Sequence, residues 1–222
     1  MSYKIAIDGP ASAGKSSVAK ALSKDLGYIY IDTGAMYRTL ALYLINNNID
    51  YDNEDDIKKV IDLINIDIVY DNGIQQLYLN GKNVTNDIRT PEVSDAASKS
   101  SRFKIVREKL LNLQRDLAEK NNCVMDGRDI GSKVLPNANL KIFLTADLDC
   151  RAKRRYEENL QKGIECTLED TKKEMEERDF RDANRENDPL VKVDDAILID
   201  NTNMTIDEVV DKILELSTGG VR

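Results

Sequence analysis

Eight residues near the start of the chain, Gly9-Pro10-Ala11-Ser12-Ala13-Gly14-Lys15-Ser16, constrain its fold more than any other stretch. They follow the apolar run Ile5-Ala6-Ile7 and lead into Ser17-Val18-Ala19-Lys20-Ala21-Leu22, whose spacing is helical. A GxxxxGKS pattern set between a strand and a helix is a phosphate cradle; elsewhere it is a flexible turn. Backbone N–H groups around Gly14 can curl round phosphate oxygens, and the helix N-terminus adds its partial positive charge. Lys15 would reach the β- and γ-phosphates, and the Ser16 hydroxyl would ligate Mg²⁺.

The rest of the chain alternates in the way such a loop requires. Tyr3 to Asp8 reads as the first strand, and the helix after the loop runs to about Leu26, with Gly27 marking its end. Tyr28 to Ile31 reads as a second strand ending at Asp32, and a helix begins at Thr33 or Gly34 and passes through Leu44. Cys123-Val124-Met125, Leu140 to Leu144 and Ala196 to Ile199 are three further short apolar runs separated by helical stretches. Five such strands predict an α/β fold: a P-loop core with a five-stranded parallel sheet and helices on both faces, ligands gathering at the strands' carboxyl ends. The middle departs from this alternation. Ile66/Ile68/Tyr70 and Leu77/Leu79 have period two, with turn signals at Asp71-Asn72-Gly73 and Asn80-Gly81, which predicts a small antiparallel insert. Helical patterns at about 55–65 and 101–120 flank it. A single P-loop domain is therefore expected, with a core at about 1–35, 121–150 and 190–217, a region with the insert at about 36–120, and a further helical segment at about 151–189. The tail from Ser217 to Arg222 reads as frayed.

Composition narrows the function. At 222 residues, 41% hydrophobic and 32% charged, the chain has the balance of a soluble globular protein. A net charge of −8 argues against a broad nucleic-acid surface. Three scattered cysteines and no histidine leave little for a zinc site and suit a reducing compartment, so a cytoplasmic location is expected. No apolar run approaches a membrane span, and no heptad pattern calls for a partner, so a monomer is expected.

Three segments carry candidate chemistry. Asp32-Thr33-Gly34-Ala35-Met36-Tyr37-Arg38 follows the second strand, with Arg38 one helical turn in, able to swing towards an anion; the plainer role is a helix start capped by Thr33. Asp126-Gly127-Arg128-Asp129 follows the third core strand, where Asp126 could hold Mg²⁺ as a Walker-B acid does. Arg151, Arg154 and Arg155 share a helical face, as do Arg178, Arg181 and Arg185 with Asp182. The second set lies in an acidic segment, Glu169 to Asp188, with little apolar anchorage, which suits a mobile lid; arginine forks there could grip phosphoryl oxygens. Phosphoryl transfer needs such positioning and charge, and an acceptor that is already a phosphate monoester needs no base. The residues thus point to a small kinase acting on a nucleoside monophosphate, the base unidentified.

IDGPASAGKSS, DTGAMYR, IRTPEVSDAAS, VREKL, DGRDIG and RDFRDANR, in that order from about Ile5 to Asn201, resemble the bacterial cytidylate kinase family. The resemblance implies transfer of the γ-phosphate of ATP to CMP or dCMP with Mg²⁺. It implies an ATP site at Gly9, Pro10, Ala11, Ser12, Ala13, Gly14, Lys15, Ser16, Ser17 and Arg154, and Mg²⁺ at Ser16 and Asp126. Transfer would be carried by Lys15, Asp126, Arg128, Arg178 and Arg181. The acceptor would meet Thr33, Tyr37, Arg38, Ser98, Arg107, Arg128, Asp129, Arg178, Arg181, Asp182 and Arg185. By similarity Asp129 takes the cytosine amine, Arg107 and Ser98 its acceptors, and Asp182 the sugar hydroxyls. Uracil would leave a mismatched polar pair at Asp129, costing about 1–3 kcal/mol. The competing expectations are another small P-loop kinase, acting on UMP, shikimate or dephospho-coenzyme A, and a module that senses ATP without turnover.

Overall fold

A computed structural model of the chain describes residues 2–218. In chain order it contains β1 (Lys4–Asp8), α1 (Lys15–Leu26), β2 (Ile29–Asp32), α2 (Thr33–Asn46), α3 (Glu54–Val60), β3 (Ile66–Asp71), β4 (Ile74–Leu79), β5 (Lys82–Asn83), α4 (Pro91–Ser100) and α5 (Lys104–Lys120). It continues with β6 (Cys123–Gly127), β7 (Leu140–Thr145), α6 (Leu148–Gln161), α7 (Leu168–Asn184), β8 (Ile197–Asp200) and α8 (Ile206–Thr218). The expected five strands form one parallel sheet in the order β2-β6-β1-β7-β8, and β3-β4-β5 form a separate antiparallel sheet. The chain divides into two compact units. One holds Tyr3–Tyr28 and the residues from Val124 on; the other holds Ser2 and Ile29–Cys123.

In the first unit β1 pairs with β7 from Ile5–Leu140 to Asp8–Phe143, and β7 with β8 from Ile142–Ile197 to Thr145–Asp200. Four of the five β1 residues and all of β6 are buried, so these strands are covered on both faces and lack the alternation of a half-exposed strand. Burying side chains such as Ile5 and Ile7 stabilises the sheet by about 1.5–3 kcal/mol each. Gly27 ends α1 in the left-handed conformation, with its N–H on the Lys24 carbonyl and that of Tyr28 on Ser23. Ser217 and Thr218 complete α8, which corrects the expectation of fraying there; residues 219–222 lie outside the described residues.

In the second unit the insert has three strands, one more than the two period-two runs. Its hairpins turn at Asn72-Gly73 and Asn80-Gly81, both residues of each pair having positive φ. Gln75 on β4 is buried and joins both backbone groups of Asp32: its Oε1 accepts the Asp32 N–H at 2.9 Å and its Nε2 donates to the Asp32 carbonyl. The helical pattern at 55–65 ends earlier, at Val60, followed by one 3-10 turn to Leu63. That at 101–120 begins at Lys104, and α4 precedes it, unforeseen. Thr90 caps α4 by accepting the Val93 N–H, Pro91 occupies its first turn, and its buried residues are small: Val93, Ala96, Ala97, Ser98 and Ser100.

Candidate active site

The glycine-rich loop leaves β1 in direct contact with β7. Gly9 has φ +148°, and a Cβ there would lie 1.9 Å from the Leu144 carbonyl oxygen, so only glycine fits. Gly14, at φ +87°, starts α1, whose first turn carries no acidic residue. Lys15 is buried and its Nζ donates to the Pro10 carbonyl at 2.6 Å. Burial, with the nearby Arg128 and Arg178 guanidiniums, holds its pKa well below the usual lysine range against the opposing pull of Asp126 and Asp8. Ser16 Oγ donates to Asp126 Oδ2 at 2.9 Å. Neighbouring ligands of an octahedral Mg²⁺ at about 2.0–2.1 Å lie about 2.9 Å apart, so this hydroxyl and carboxylate fit such an ion. Among the described residues no group of three or more carboxylates or thiolates could hold a metal without a ligand's own oxygens.

The same unit holds most of the expected arginines, with Arg128 and Arg178 near Lys15 and Arg151 on the loop itself. Arg128 Nε donates to Asp182 Oδ2 at 2.8 Å. Burial alone would lower the Arg128 pKa and raise that of Asp182. Their mutual attraction, aided by Asp179 at Arg128 and by Arg178 and Arg185 at Asp182, reverses both. Arg185 donates to the Asp188 carbonyl through Nε and lies 3.5 Å from Asp129 Oδ1, both side chains being buried. Arg181 shares α7 with Arg178, immediately before Asp182. This helix has the little apolar anchorage expected of it, Met175 being its one buried apolar side chain among the described residues. Thr171, Met175 and Asp182 are buried along one face, so its tether is chiefly polar. The first arginine set separates by role: Arg151 reaches the Ala11 carbonyl, Arg154 binds Asn201, and Arg155 forms a surface pair with Glu158.

In the second unit Asp32, not Thr33, caps α2: its Oδ1 accepts the Ala35 N–H at 2.8 Å. Asp32 Oδ2 lies 3.1 Å from Arg38 and 3.7 Å from Arg89, while Arg38 Nε is buried with no hydrogen-bond partner among the described residues. Thr33 is buried at the first turn. Arg107 donates to the Ser101 carbonyl and stacks over the Tyr37 ring, 5.7 Å from its centroid. Ser98 is buried on α4, its carbonyl accepting from Ser101 Oγ.

A family model described as cytidylate kinase matches residues 5–218. The chain belongs to the cytidylate kinase family. It is 53% identical to the cytidylate kinase of Lactobacillus johnsonii over 96% of this chain and 93% of that one. It is 52% identical to that of Pediococcus pentosaceus (96% and 95% covered) and 47% identical to that of Bacillus cereus (97% and 96%). Among solved structures it resembles an uncharacterized protein from Eubacterium ventriosum, with a TM-score of 0.53 at 16% identity (97% and 98% covered). It also resembles a shikimate kinase from Acinetobacter baumannii, with a TM-score of 0.50 at 14% identity (100% and 96% covered). At such identities this likeness speaks for the fold alone.

Sequence reasoning missed several residues of this cytidylate kinase family member. Asp8, the last residue of β1, accepts the Ile130 and Gly131 N–H groups at 2.8 and 2.7 Å and so fixes the backbone directly after Asp129. Burial pushes its carboxyl up to about 6, although both N–H groups oppose this. Ile130–Val134 form a π-helical turn there. An acid at a strand end beside a P-loop was a signal for Asp8. Asn201, Asp179 and Gln75 had none, because their partners are remote in sequence.

Proposed function

We propose that the chain transfers the γ-phosphate of ATP to CMP or dCMP, giving ADP and CDP or dCDP. What carries this reading is the cytidylate kinase match over residues 5–218, which includes the glycine-rich loop and every residue assigned to the acceptor. An oxygen of the acceptor phosphate attacks the γ-phosphorus while the bond to the β-bridging oxygen breaks. The attacking oxygen is already anionic near neutral pH, so no base is required. Lys15, Arg128, Arg178 and Arg181 meet charge on the phosphates, and the loop's N–H groups and the start of α1 bind the donor. Ser16 and Asp126 hold Mg²⁺, which neutralises donor phosphate charge when bound. Thr33, Tyr37, Arg38 and Arg185 serve the acceptor, and Asp182 its sugar. Arg107 and Ser98 take the N3 and O2 acceptors of cytosine, and Asp129 its N4 amine. Residues 151–189 act as a lid in this reading, and the protein works as a cytoplasmic monomer. No helix among the described residues is long and apolar enough to cross a membrane.

A panel of monophosphates with ATP and Mg²⁺, read as ADP release, tests the assignment. CMP and dCMP should turn over, UMP at least about tenfold less efficiently, and Lys15→Ala should abolish release. ATP binding without CMP-dependent ADP release would mark a sensor instead. Equal use of UMP would remove the role given to Asp129.

A further inference from the structure

Three carbonyls of the glycine-rich loop are held by side chains. Lys15 Nζ holds that of Pro10, Arg151 Nη1 holds that of Ala11 at 3.1 Å, and Asn201 Nδ2 holds that of Ala13 at 2.8 Å. Peptide N–H and C=O groups point in opposite directions, so fixing the carbonyls fixes where the N–H groups point. Helix α6 stands behind two of these bonds. Arg154 acts through Asn201, donating to its Oδ1 at 3.1 Å and its carbonyl at 3.0 Å. Arg151 acts directly and is 7% exposed, with its Nε on the Ala146 carbonyl at 2.9 Å. Ala11 is gripped on both of its polar groups, because Asp179 Oδ1 on α7 accepts its N–H at 3.2 Å while Asp179 Oδ2 pairs with Arg151. With Nε and Nη1 donating to protein groups, Arg151 is a builder of the loop.

We propose that Arg151 and Asp179 are positioning residues for triphosphate binding: an ion-paired clamp that holds the Ala11 peptide so the loop is formed before ATP arrives. Preorganisation of this kind raises affinity by removing the cost of ordering the loop on binding. The pair also ties α7, which carries Arg178 and Arg181, to the loop that binds the donor. The proposal rests only on the ATP half of the function above.

Its test is ATP–Mg²⁺ affinity of the full chain by titration calorimetry without acceptor, on Asp179→Ala, Arg151→Ala, the double variant and Asp179→Asn. Each alanine variant should weaken ATP binding about tenfold. The double variant should be no more than about threefold worse than the weaker single one, because the pair acts as a unit. Asp179→Asn loses the ion pair, because an amide oxygen on the Ala11 N–H turns the NH₂ group towards the Arg151 guanidinium, so it should stay at least about threefold weaker than the parent. In turnover assays the KM for ATP should rise while that for CMP stays within about twofold. Where Arg151→Ala does not fold, Arg151→Lys, which keeps the charge but not the fork, should still lose at least about threefold. Unchanged or tighter ATP binding in folded variants, Asp179→Asn included, or strictly additive losses would each overturn the proposal. Because calorimetry omits the acceptor, it reads the clamp even if CMP proves not to be the substrate.

Discussion

Replacing Gly9 by alanine tests how the glycine-rich loop is seated. The new Cβ would stand 1.9 Å from the Leu144 oxygen and 3.0 Å from its carbon. A carbon–oxygen contact settles at about 3.3 Å or more, so the loop or β7 must yield by roughly 1.4 Å. Neither can do so by a side-chain rotation, because the obstacle is backbone in a paired strand. Overpacking of this kind costs about 1–3 kcal/mol, or about 2–12 °C in Tm for a chain of this size. The functional loss should be larger, since a displacement of about 1 Å at a positioning element costs about a hundredfold in rate. Gly27→Ala is the control. It also forces a left-handed backbone at φ +67°, yet its Cβ would meet nothing within 4 Å, so it should lose about 1–2 kcal/mol of stability and little ATP affinity. Differential scanning calorimetry and ATP titration of both variants separate the effects. Gly9→Ala binding ATP within threefold of the parent would refute the steric account.

Asp8 makes a prediction about acid. Its folded pKa of about 6 lies above the ordinary aspartate value of 3.8, so the folded state holds the proton more tightly and loses stability as pH rises through about 6. The Asp8→Asn variant lacks this loss; relative to the parent it should gain up to about 3 kcal/mol between pH 4 and pH 7, read by urea unfolding, and a flat difference would show an ordinary carboxyl. Asp129→Ala should lower the CMP-to-UMP ratio of kcat/KM by about tenfold or more with ATP affinity intact, whereas loss of ATP affinity alone would contradict its assignment. Protease cleavage within residues 151–189 should slow when both nucleotides are present, and equal cleavage with and without them would count against a lid.

The parts legible in the sequence are those written in adjacent residues. The loop, the strand ends at Asp32 and Asp126, the Asn-Gly turns and Gly27 each announce themselves through backbone requirements that only a few residue types meet. Helix α4 escaped because Pro91-Glu92-Val93-Ser94-Asp95-Ala96-Ala97-Ser98 has almost no large apolar residue to set a period; it is buried because it is small, and only its Thr90-Pro91 start was readable. The anchorage of α7 escaped for the converse reason. Its ties run through Asp179, Asp182 and Arg185, and hydropathy counts such residues as solvent-facing. The same charges that suggested a loose segment are what fasten it. Roles such as that of Gln75 on Asp32, 43 positions apart, exist only once the chain has folded.

Lys15 carries a consequence for heat and protons. Its ammonium is disfavoured by burial and by Arg128 and Arg178, and phosphate oxygens beside it would favour the charged form again. Wherever the free protein holds Lys15 uncharged, nucleotide binding draws a proton from the medium. In that pH range the apparent enthalpy varies with the ionisation heat of the buffer, and ATP affinity declines as the solution becomes more alkaline. The loop that seats the phosphates thus also shifts a proton equilibrium, because the oxygens it binds favour the charged form of its lysine.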